Sequence, residues 1–255
     1  MVTRFIELSN SRWEVIAPIF NIQRRRKNQL RDVLNAIFFV LRTGMQWRNL
    51  SQTRYPKWQS VYYYFYRWTN DGTFEQINYL LNLYDREQSG REPTPSLCCA
   101  DAQSVKIAPL IKKEKGFDGN KKINGRKRQV LTDTLGHIWA AFVHGADRHD
   151  STVGYELLIR AADMMPRLEK ILTDKAYQGD FRMQAKEILD ADVEIASRPP
   201  TEKGFVPVKK RWVVERTFGW LNFYRRLSKD YERTAKSAEN MLLLCNCALI
   251  LNRIT

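Results

Sequence analysis

Residues 170–196 read KILTDKAYQGDFRMQAKEILDADVEIA, and this segment carries the pattern that decides the fold. A short apolar run ends at Asp174, a helical pattern covers 181–189, and a second strand-like run follows at 193–196. A strand, a helix and a strand in this order are typical of parallel α/β units. We therefore predict an α/β sheet whose later strands are parallel.

Three earlier apolar runs extend this sheet. Residues 97–100 form a run that ends at Asp101, and 129–132 and 137–143 read as two further strands. The intervening segment Asp133-Thr-Leu-Gly136 is a hairpin-like signal. A hairpin therefore precedes the parallel strands in the predicted sheet.

The first 88 residues show helical periodicity instead. Apolar residues recur at three- and four-residue spacing over 28–42, and another helix is predicted over 58–68. Ser11-x-x-Glu14 and Thr73-x-x-Gln76 have the form of capping boxes that open helices. Short helices joined by short turns predict a compact unit of the class that contains helix-turn-helix DNA readers.

The chain carries a large excess of basic residues. Its 255 residues include 42 Lys and Arg against 28 Asp and Glu, a formal net charge of +14. This excess favours a polyanionic partner, because each neutralised phosphate releases condensed counterions. Charge alone does not separate DNA from RNA or from an anionic membrane. Hydrophobic residues make up 44%, which supports a folded core and argues against a disordered chain.

A polar stretch, Ser89-Gly-Arg-Glu-Pro-Thr-Pro-Ser96, separates the predicted helices from the predicted strands. Stretches of this kind mark domain boundaries. We predict an all-α, helix-turn-helix-like DNA-binding domain over 1–88, a linker over 89–96 and an α/β domain over 97–255.

Sequence features favour a cytosolic protein without a membrane partner. Residues 1–10 lack the pattern of a signal peptide, and no apolar run approaches the roughly 20 residues that span a bilayer. The four cysteines, in the pairs Cys98-Cys99 and Cys245-x-Cys247, lack the two-residue gap of a structural zinc knuckle. We interpret them as reduced core residues.

Two aspartates follow predicted strands, Asp101 after 97–100 and Asp174 after 170–173. The carboxyl edge of an open α/β sheet is where ligands bind. Two carboxylates side by side are costly unless a cation or a proton lies between them. A divalent metal removes this cost, and Mg²⁺ prefers hard oxygen ligands, usually one or two carboxylates plus a substrate phosphate.

Glu215 adds a third carboxylate inside the strongly basic segment 209–216. Arg211 lies four residues earlier on the same helical face, so an ordinary helix ion pair explains these two residues. With a phosphate nearby, Glu215 can instead hold a metal while Arg211 binds a phosphate oxygen. The residues alone are thus compatible with two interpretations: three acids with structural roles, or one metal site for phosphodiester chemistry.

Several basic residues are candidates for DNA contact. The run Arg24-Arg-Arg-Lys27 is dense enough to favour phosphate contact, although a solvated helix entrance also explains it. Tyr177 is a candidate to line the path of the DNA. The basic candidates are Arg24, Arg25, Arg26, Lys27, Lys106, Arg126, Lys127, Arg128, Arg211, Arg225 and Arg226.

Together, several segments resemble the bacterial insertion-sequence DDE transposases. In the C-terminal part they are ADAQSVK (100–106), GRKR (125–128), LTDTLG (131–136), TDKAYQG (173–179) and RWVVERTFGW (211–220). The segments WEVIAP (13–18), LRTGMQWR (41–48) and VYYYF (61–65) are similar to the helical domain that precedes that catalytic core.

The resemblance implies an RNase H-like catalytic domain with Asp101, Asp174 and Glu215 as its metal-binding triad. It implies two Mg²⁺ ions per site, for which Mn²⁺ can substitute, and DNA cleavage followed by strand transfer. The implied partners are double-stranded DNA, at terminal inverted repeats and target sites, and a second copy of the chain. The implied setting is the nucleoid in a bacterial cytoplasm, with no small-molecule substrate.

The region around the third acid departs from the pattern of related elements, which often carry Tyr, Arg, Glu and Lys there. Arg211 and Glu215 match, but Val208 and Asn222 stand at the Tyr and Lys positions. The candidates for the missing positive charge are Arg225, Arg226 and Lys229.

Three other functions use the same features. A domesticated nuclease would retain the triad and cut DNA without transposition. A DNA-binding regulator would use the helical unit while the second domain only dimerises, but it has no reason to keep three costly acids together. A ribonuclease is the third alternative, and the basic helical region favours duplex DNA over it.

Overall fold

The computed structural model describes residues 5–20, 25–196 and 211–254. Its N-terminal part is helical, and its C-terminal part is a mixed sheet covered by helices. The helices before the sheet are α1 (Asn10–Ile16), α2 (Leu30–Thr43), α3 (Trp58–Asn70) and α4 (Thr73–Gln88).

The ends of these helices are set by local hydrogen bonds. Ser9 caps α1, since its side chain accepts a hydrogen bond from the backbone N–H of Arg12. At α4 the N-cap residue is Gly72, and the Asp71 carboxylate accepts hydrogen bonds from the backbone N–H of Thr73 at 3.2 Å and from its hydroxyl at 2.6 Å. The capping boxes predicted at Ser11 and Thr73 are therefore wrong, although both helices exist.

The described strands form one six-stranded sheet in which β1 and β3 are central. β1 pairs antiparallel with β3 and parallel with β5, and β5 pairs parallel with β6. β2 and β4 pair antiparallel with β3. The strands are β1 (Leu97–Lys106), β2 (Gly116–Asp118), β3 (Ile123–Asp133), β4 (Ile138–Gly145), β5 (Lys170–Thr173) and β6 (Asp192–Ile195). The predicted hairpin and the parallel later strands are confirmed, in agreement with an RNase H-like core.

Two strands are longer than predicted. β1 continues five residues beyond Asp101, to Lys106, and β3 begins at Ile123. The added parts of both strands are mostly polar, so hydrophobicity gave no signal for them. They are extended because they pair with each other over 102–106 and 125–129.

Four α-helices follow the β4 strand within the described ranges. They are α5 (Asp150–Ala161), α6 (Asp180–Leu189), α7 (Trp212–Asn222) and α8 (Ala235–Leu251). α5 and α6 cover one face of the sheet and enclose a cluster with Trp139, Leu157 and Phe181. α8 packs against both α4 and β4. None of the helices in the described ranges has the length and apolar character needed to cross a membrane.

The N-terminal helices share their hydrophobic core with the sheet. One cluster contains Leu34 of α2, Phe65 of α3, Val130 of β3 and Leu244 of α8. Residues 89–96 therefore mark a change from helices to strands within one continuous core. The division into two functional domains stays a prediction.

A buried polar network also joins α4 to the β3–β4 hairpin. The carboxylate of Asp133 accepts hydrogen bonds from Arg86 at 2.7 Å and from the Trp139 indole at 3.1 Å. His137 lies 2.7 Å from Asp85 and 3.3 Å from Asp133. Burial favours the neutral carboxyl of Asp133, but the bonds from His137 and Arg86 outweigh it and hold its pKa far below the usual value.

Candidate active site

Parallel pairing of β1 and β5 brings Asp101 and Asp174 to neighbouring positions. Cys99 is opposite Leu172 in the register, and each aspartate lies two residues beyond its member of this pair. Asp174 directly follows the last residue of β5 and accepts a hydrogen bond from the backbone of Ala176 at 2.8 Å. Asp101 does not end its strand as predicted, because β1 continues along β3. It lies instead at the level where the parallel neighbour stops, so the two carboxylates share one edge.

Helix α7 brings the third acid to this edge. Val214, Phe218 and Leu221 are buried in the core, which orients the helix and leaves Glu215 exposed. The helix is held to the β3–β4 turn because Thr217 donates to the Gly136 carbonyl at 3.1 Å.

Gly136 has φ +90°, and a Cβ at this position would lie 3.0 Å from the Thr217 hydroxyl. The close approach of the turn to α7 therefore favours glycine.

The three acids face one guanidinium group. Nη2 of Arg211 lies 3.2 Å from Oδ2 of Asp101, 3.7 Å from Oδ2 of Asp174 and 4.0 Å from Oε1 of Glu215. These acids come from a strand, a strand end and a helix, which are far apart in the sequence. The structure thus brings together the three acids and the arginine that the sequence singled out.

The electrostatics of Asp101 reflect this crowding. Burial raises its pKa to about 6, Arg211 and the bond from the Ala102 backbone counteract the rise, and the charges of Asp174 and Glu215 add to it. The anionic form of a carboxyl group in this position is favoured by an adjacent cation and by hydrogen bonds donated to it.

The donor set fits a divalent metal. Three carboxylates supply the hard oxygen ligands that Mg²⁺ prefers, and Asp174 and Glu215 are partly open to solvent. Within the described residues, no three or more His, Cys, Asp or Glu side chains lie close enough together to hold a metal ion as they stand. The acids surround Arg211 instead, so small side-chain movements would be needed to hold an ion.

Tyr177 does not line a DNA path. Its side chain is buried below the active-site edge, packed edge-on against Phe181 and next to Gly154 of α5. The hydroxyl has no hydrogen-bond partner in the described parts of the chain.

Two of the arginines predicted to contact DNA are structural. Arg126 is fully buried, and it donates to the Glu232 carbonyl at 2.9 Å and lies 3.4 Å from the Asp230 carboxylate. Arg128 is equally buried and donates to the Leu227 carbonyl at 2.6 Å. We correct the DNA-contact interpretation for both, since their guanidinium groups attach the segment after α7 to β3. Their i, i+2 spacing would have indicated one strand face, had β3 been predicted to this length.

Arg226 and Lys127 are also engaged within the protein. Arg226 is buried and pairs with Glu232 at 2.7 Å, so it is not available for DNA. Lys127 is largely covered and lies 3.2 Å from Asp150.

The remaining basic candidates are at the surface or outside the described residues. Arg25 and Lys27 are exposed ahead of α2, with Arg26 half-buried between them. Lys106 is exposed at the end of β1, about 17 Å along the strand from Asp101. Arg225 is exposed beyond α7, in a turn that packs against α2. Arg24 and Val208 lie outside the described residues.

Two surface features carry no signal in the sequence. On α7, the Arg216 guanidinium lies between the rings of Trp212 and Trp220, at 4.5 and 4.4 Å from their centroids. On α3, Tyr63 and Tyr66 are more than half exposed, while neighbouring aromatics are packed inward. Helical periodicity alone did not separate these exposed rings from core rings.

Comparison with protein families agrees with this geometry. Residues 92–251, more than half of the chain, match the family described as "Transposase DDE domain". The chain belongs to the DDE transposase family. The helical part of this transposase, residues 8–78, matches the family described as "Putative transposase of IS4/5 family".

A curated relative supports the same assignment. The transposase is 34% identical over 133 residues to the "Putative transposase for insertion sequence element IS402" of Burkholderia cepacia. The match covers 49% of this chain and 62% of the relative. The chain thus spans less than two thirds of that relative's length.

Proposed function

We propose that this DDE transposase cleaves DNA at the ends of an insertion sequence and joins the freed ends to target DNA. The observation that carries the proposal is the convergence of Asp101, Asp174 and Glu215 on one cationic group at the carboxyl edge of the sheet. We infer that these acids hold two Mg²⁺ ions, with Mn²⁺ as a substitute.

Each residue of the site has a defined task in this reaction. Two bound ions would activate a water or a DNA 3′-hydroxyl and stabilise the leaving oxygen. The partly buried Asp101 supplies oxygen ligands from the sheet, while the more exposed Asp174 and Glu215 complete the set from the solvent side. Arg211 is placed to donate to a phosphate oxygen of the scissile strand. No serine or tyrosine nucleophile is required, because the water or 3′-hydroxyl attacks in line.

The proposed DNA surface combines the helical part with the active-site edge. The net charge of +14 favours a polyanion. Arg25 and Lys27 are exposed, and the exposed face of α3 presents Tyr63, Tyr66 and Arg67. Such a helix has the polar and aromatic groups that contact duplex DNA. We further propose that two copies of the chain act together on paired transposon ends.

The test is cleavage of a labelled duplex that carries the element's terminal inverted repeat. We expect nicking with Mg²⁺ and none with EDTA. Asp174→Asn should reduce the rate at least about a thousandfold, because several kcal/mol of transition-state stabilisation depend on the metal. Asp192→Asn is the matched control, since its exposed carboxylate lies on the neighbouring strand and pairs only with Lys186 among the described residues.

The other outcomes distinguish the alternatives. Binding without cutting in all conditions would indicate a DNA-binding regulator. Cutting without strand transfer would indicate a nuclease, and selective cleavage of an RNA strand would indicate a ribonuclease. Full activity of Asp174→Asn would refute the assignment of the site.

A further inference from the structure

Arg211 occupies the point at which the charges of the three acids meet. Its Nη2 atom lies within 4.0 Å of all three carboxylates, and its Nε atom is buried without a hydrogen-bond partner among the described residues. Its side chain is 15% exposed, against 36% for Asp174 and 54% for Glu215. The Arg211 side chain is thus less exposed than the side chains of two of the acids that it neutralises.

We propose that Arg211 is an internal counter-cation that competes with metal, and that a DNA phosphate removes it, so that metal loading is coupled to DNA binding. This inference rests on the proposed function, because it takes the three acids as the metal ligands. It assigns Arg211 a positioning role that precedes the chemical step.

The competition follows from charge and space. A metal ion bound to these oxygens would lie about 2–2.6 Å from each, whereas the guanidinium already contacts the same atoms. Two cations cannot share these oxygens without strong repulsion, since the side chains of Arg211 and Asp101 are only 15% and 17% exposed and solvent screens them weakly. Metal therefore binds well only if the guanidinium moves outward.

A phosphate is suited to draw the guanidinium outward. The planar fork of arginine binds phosphate oxygens in bidentate fashion. The open side of the cluster, where Asp174 and Glu215 are exposed, is the side from which DNA can approach. Arg211 immediately precedes α7, so its side chain can reorient without moving Glu215 on the helix.

The coupling must be reciprocal. If DNA tightens metal binding by a given factor, metal tightens DNA binding by the same factor. We expect a factor of about ten, within the usual range of about 5–150 for coupled sites. Such coupling would restrict metal loading, and hence cutting, to the DNA complex.

The first experiment measures Mn²⁺ binding to the full chain without DNA, by isothermal titration calorimetry. We expect Arg211→Gln to bind Mn²⁺ about tenfold more tightly than the wild type, since the competing cation is gone. Arg216→Gln is the matched control: it removes one positive charge from α7, five residues after Arg211, but Arg216 faces Trp212 and Trp220. It should remain close to the wild-type affinity.

The second experiment begins with the wild type and needs a variant only as its control. The affinity of the wild type for a fluorescent duplex is measured by anisotropy with Ca²⁺, which takes the same oxygen ligands, and with EDTA. We expect about tenfold tighter binding with Ca²⁺. Asp101→Asn should abolish this difference, which separates it from general effects of the ion on DNA.

Failure of the proposed coupling and failure of the proposed function would give different results. Unchanged or weaker Mn²⁺ binding by Arg211→Gln, or equal DNA affinity of the wild type with Ca²⁺ and EDTA, would overturn the coupling. Absence of saturable Mn²⁺ binding in every variant, with and without DNA, would overturn the proposed function itself.

Discussion

Replacing Asp133 by Asn tests whether the buried network fastens the helical part to the sheet. Oδ1 of Asp133 accepts from the backbone of Leu135 at 2.9 Å and of His137 at 3.0 Å. Oδ2 accepts from Arg86 and from Trp139. An asparagine keeps the acceptor for the backbone groups, but its amide NH₂ then faces two donors, and the charge that balances Arg86 is lost.

The expected cost is large because the group is fully buried. Breaking a buried ion pair by removing one partner costs about 3–5 kcal/mol. Two hydrogen bonds involving a charged group, at about 1.5–3 kcal/mol each, give the same range. In a chain of this size a loss of 1 kcal/mol lowers Tm by about 2–4 °C, so Tm should fall by about 10 °C.

Urea unfolding followed by tryptophan fluorescence and circular dichroism measures this loss. The m-value should be unchanged, so the lower midpoint reports stability directly. Glu194→Gln is the control, since its pair with Lys170 at 2.9 Å is about half exposed and worth at most about 1 kcal/mol. A loss below about 1 kcal/mol for Asp133→Asn would refute the reasoning, because the pair would then not be desolvated as the structure has it.

Three further predictions follow from the same contacts. Burial alone would lower the pKa of His137, but its bonds to Asp133 and Asp85 raise it. The stability that His137 contributes is therefore complete below its ordinary pKa of 6.5 and is lost as the pH rises through the raised pKa. The urea midpoint should fall over that pH range, and His137→Gln should remove this dependence on pH. Alanine substitution of the exposed α3 residues Tyr63, Tyr66 and Arg67 should weaken duplex binding and leave the urea midpoint unchanged. The slope of log K against log salt should decrease by about 1, because one phosphate contact is lost. An unchanged affinity for DNA would exclude α3 from the interface. The four cysteines are buried and none forms a disulfide within the described residues, and burial raises their pKa values, so a thiol reagent should modify all four only after unfolding; rapid labelling of the native protein would contradict this packing.

The elements predicted from periodicity are the ones in which hydrophobic residues carry the signal. The helix over 28–42 and the strand over 170–173 are buried on the predicted faces, since apolar burial is what the pattern records. The parallel pairing of β5 and β6 also follows from the strand–helix–strand order. Membership in the DDE transposase family was indicated by motifs that lie at these same strand ends.

Other features depended on long-range contacts. Residues 102–106, which are mostly polar, are extended because β3 lies beside them. Local propensity does not contain this contact. The same holds for Arg126 and Arg128. In the sequence they are compatible with a basic surface, but in the structure the segment after α7 covers them.

The sequence by itself determined the α/β class, the strand-helix order and the identity of three acids and one arginine, because these depend on hydrophobic spacing and on motifs that are local in the chain. Only the tertiary structure decided that Asp101 lies within β1 rather than at its end, and that one guanidinium nitrogen contacts all three acids. It also decided which arginines are buried. The physical reason is that charges and hydrogen-bond partners act through space, here at 3.2 Å between Asp101 and Arg211, which are 110 positions apart in the sequence.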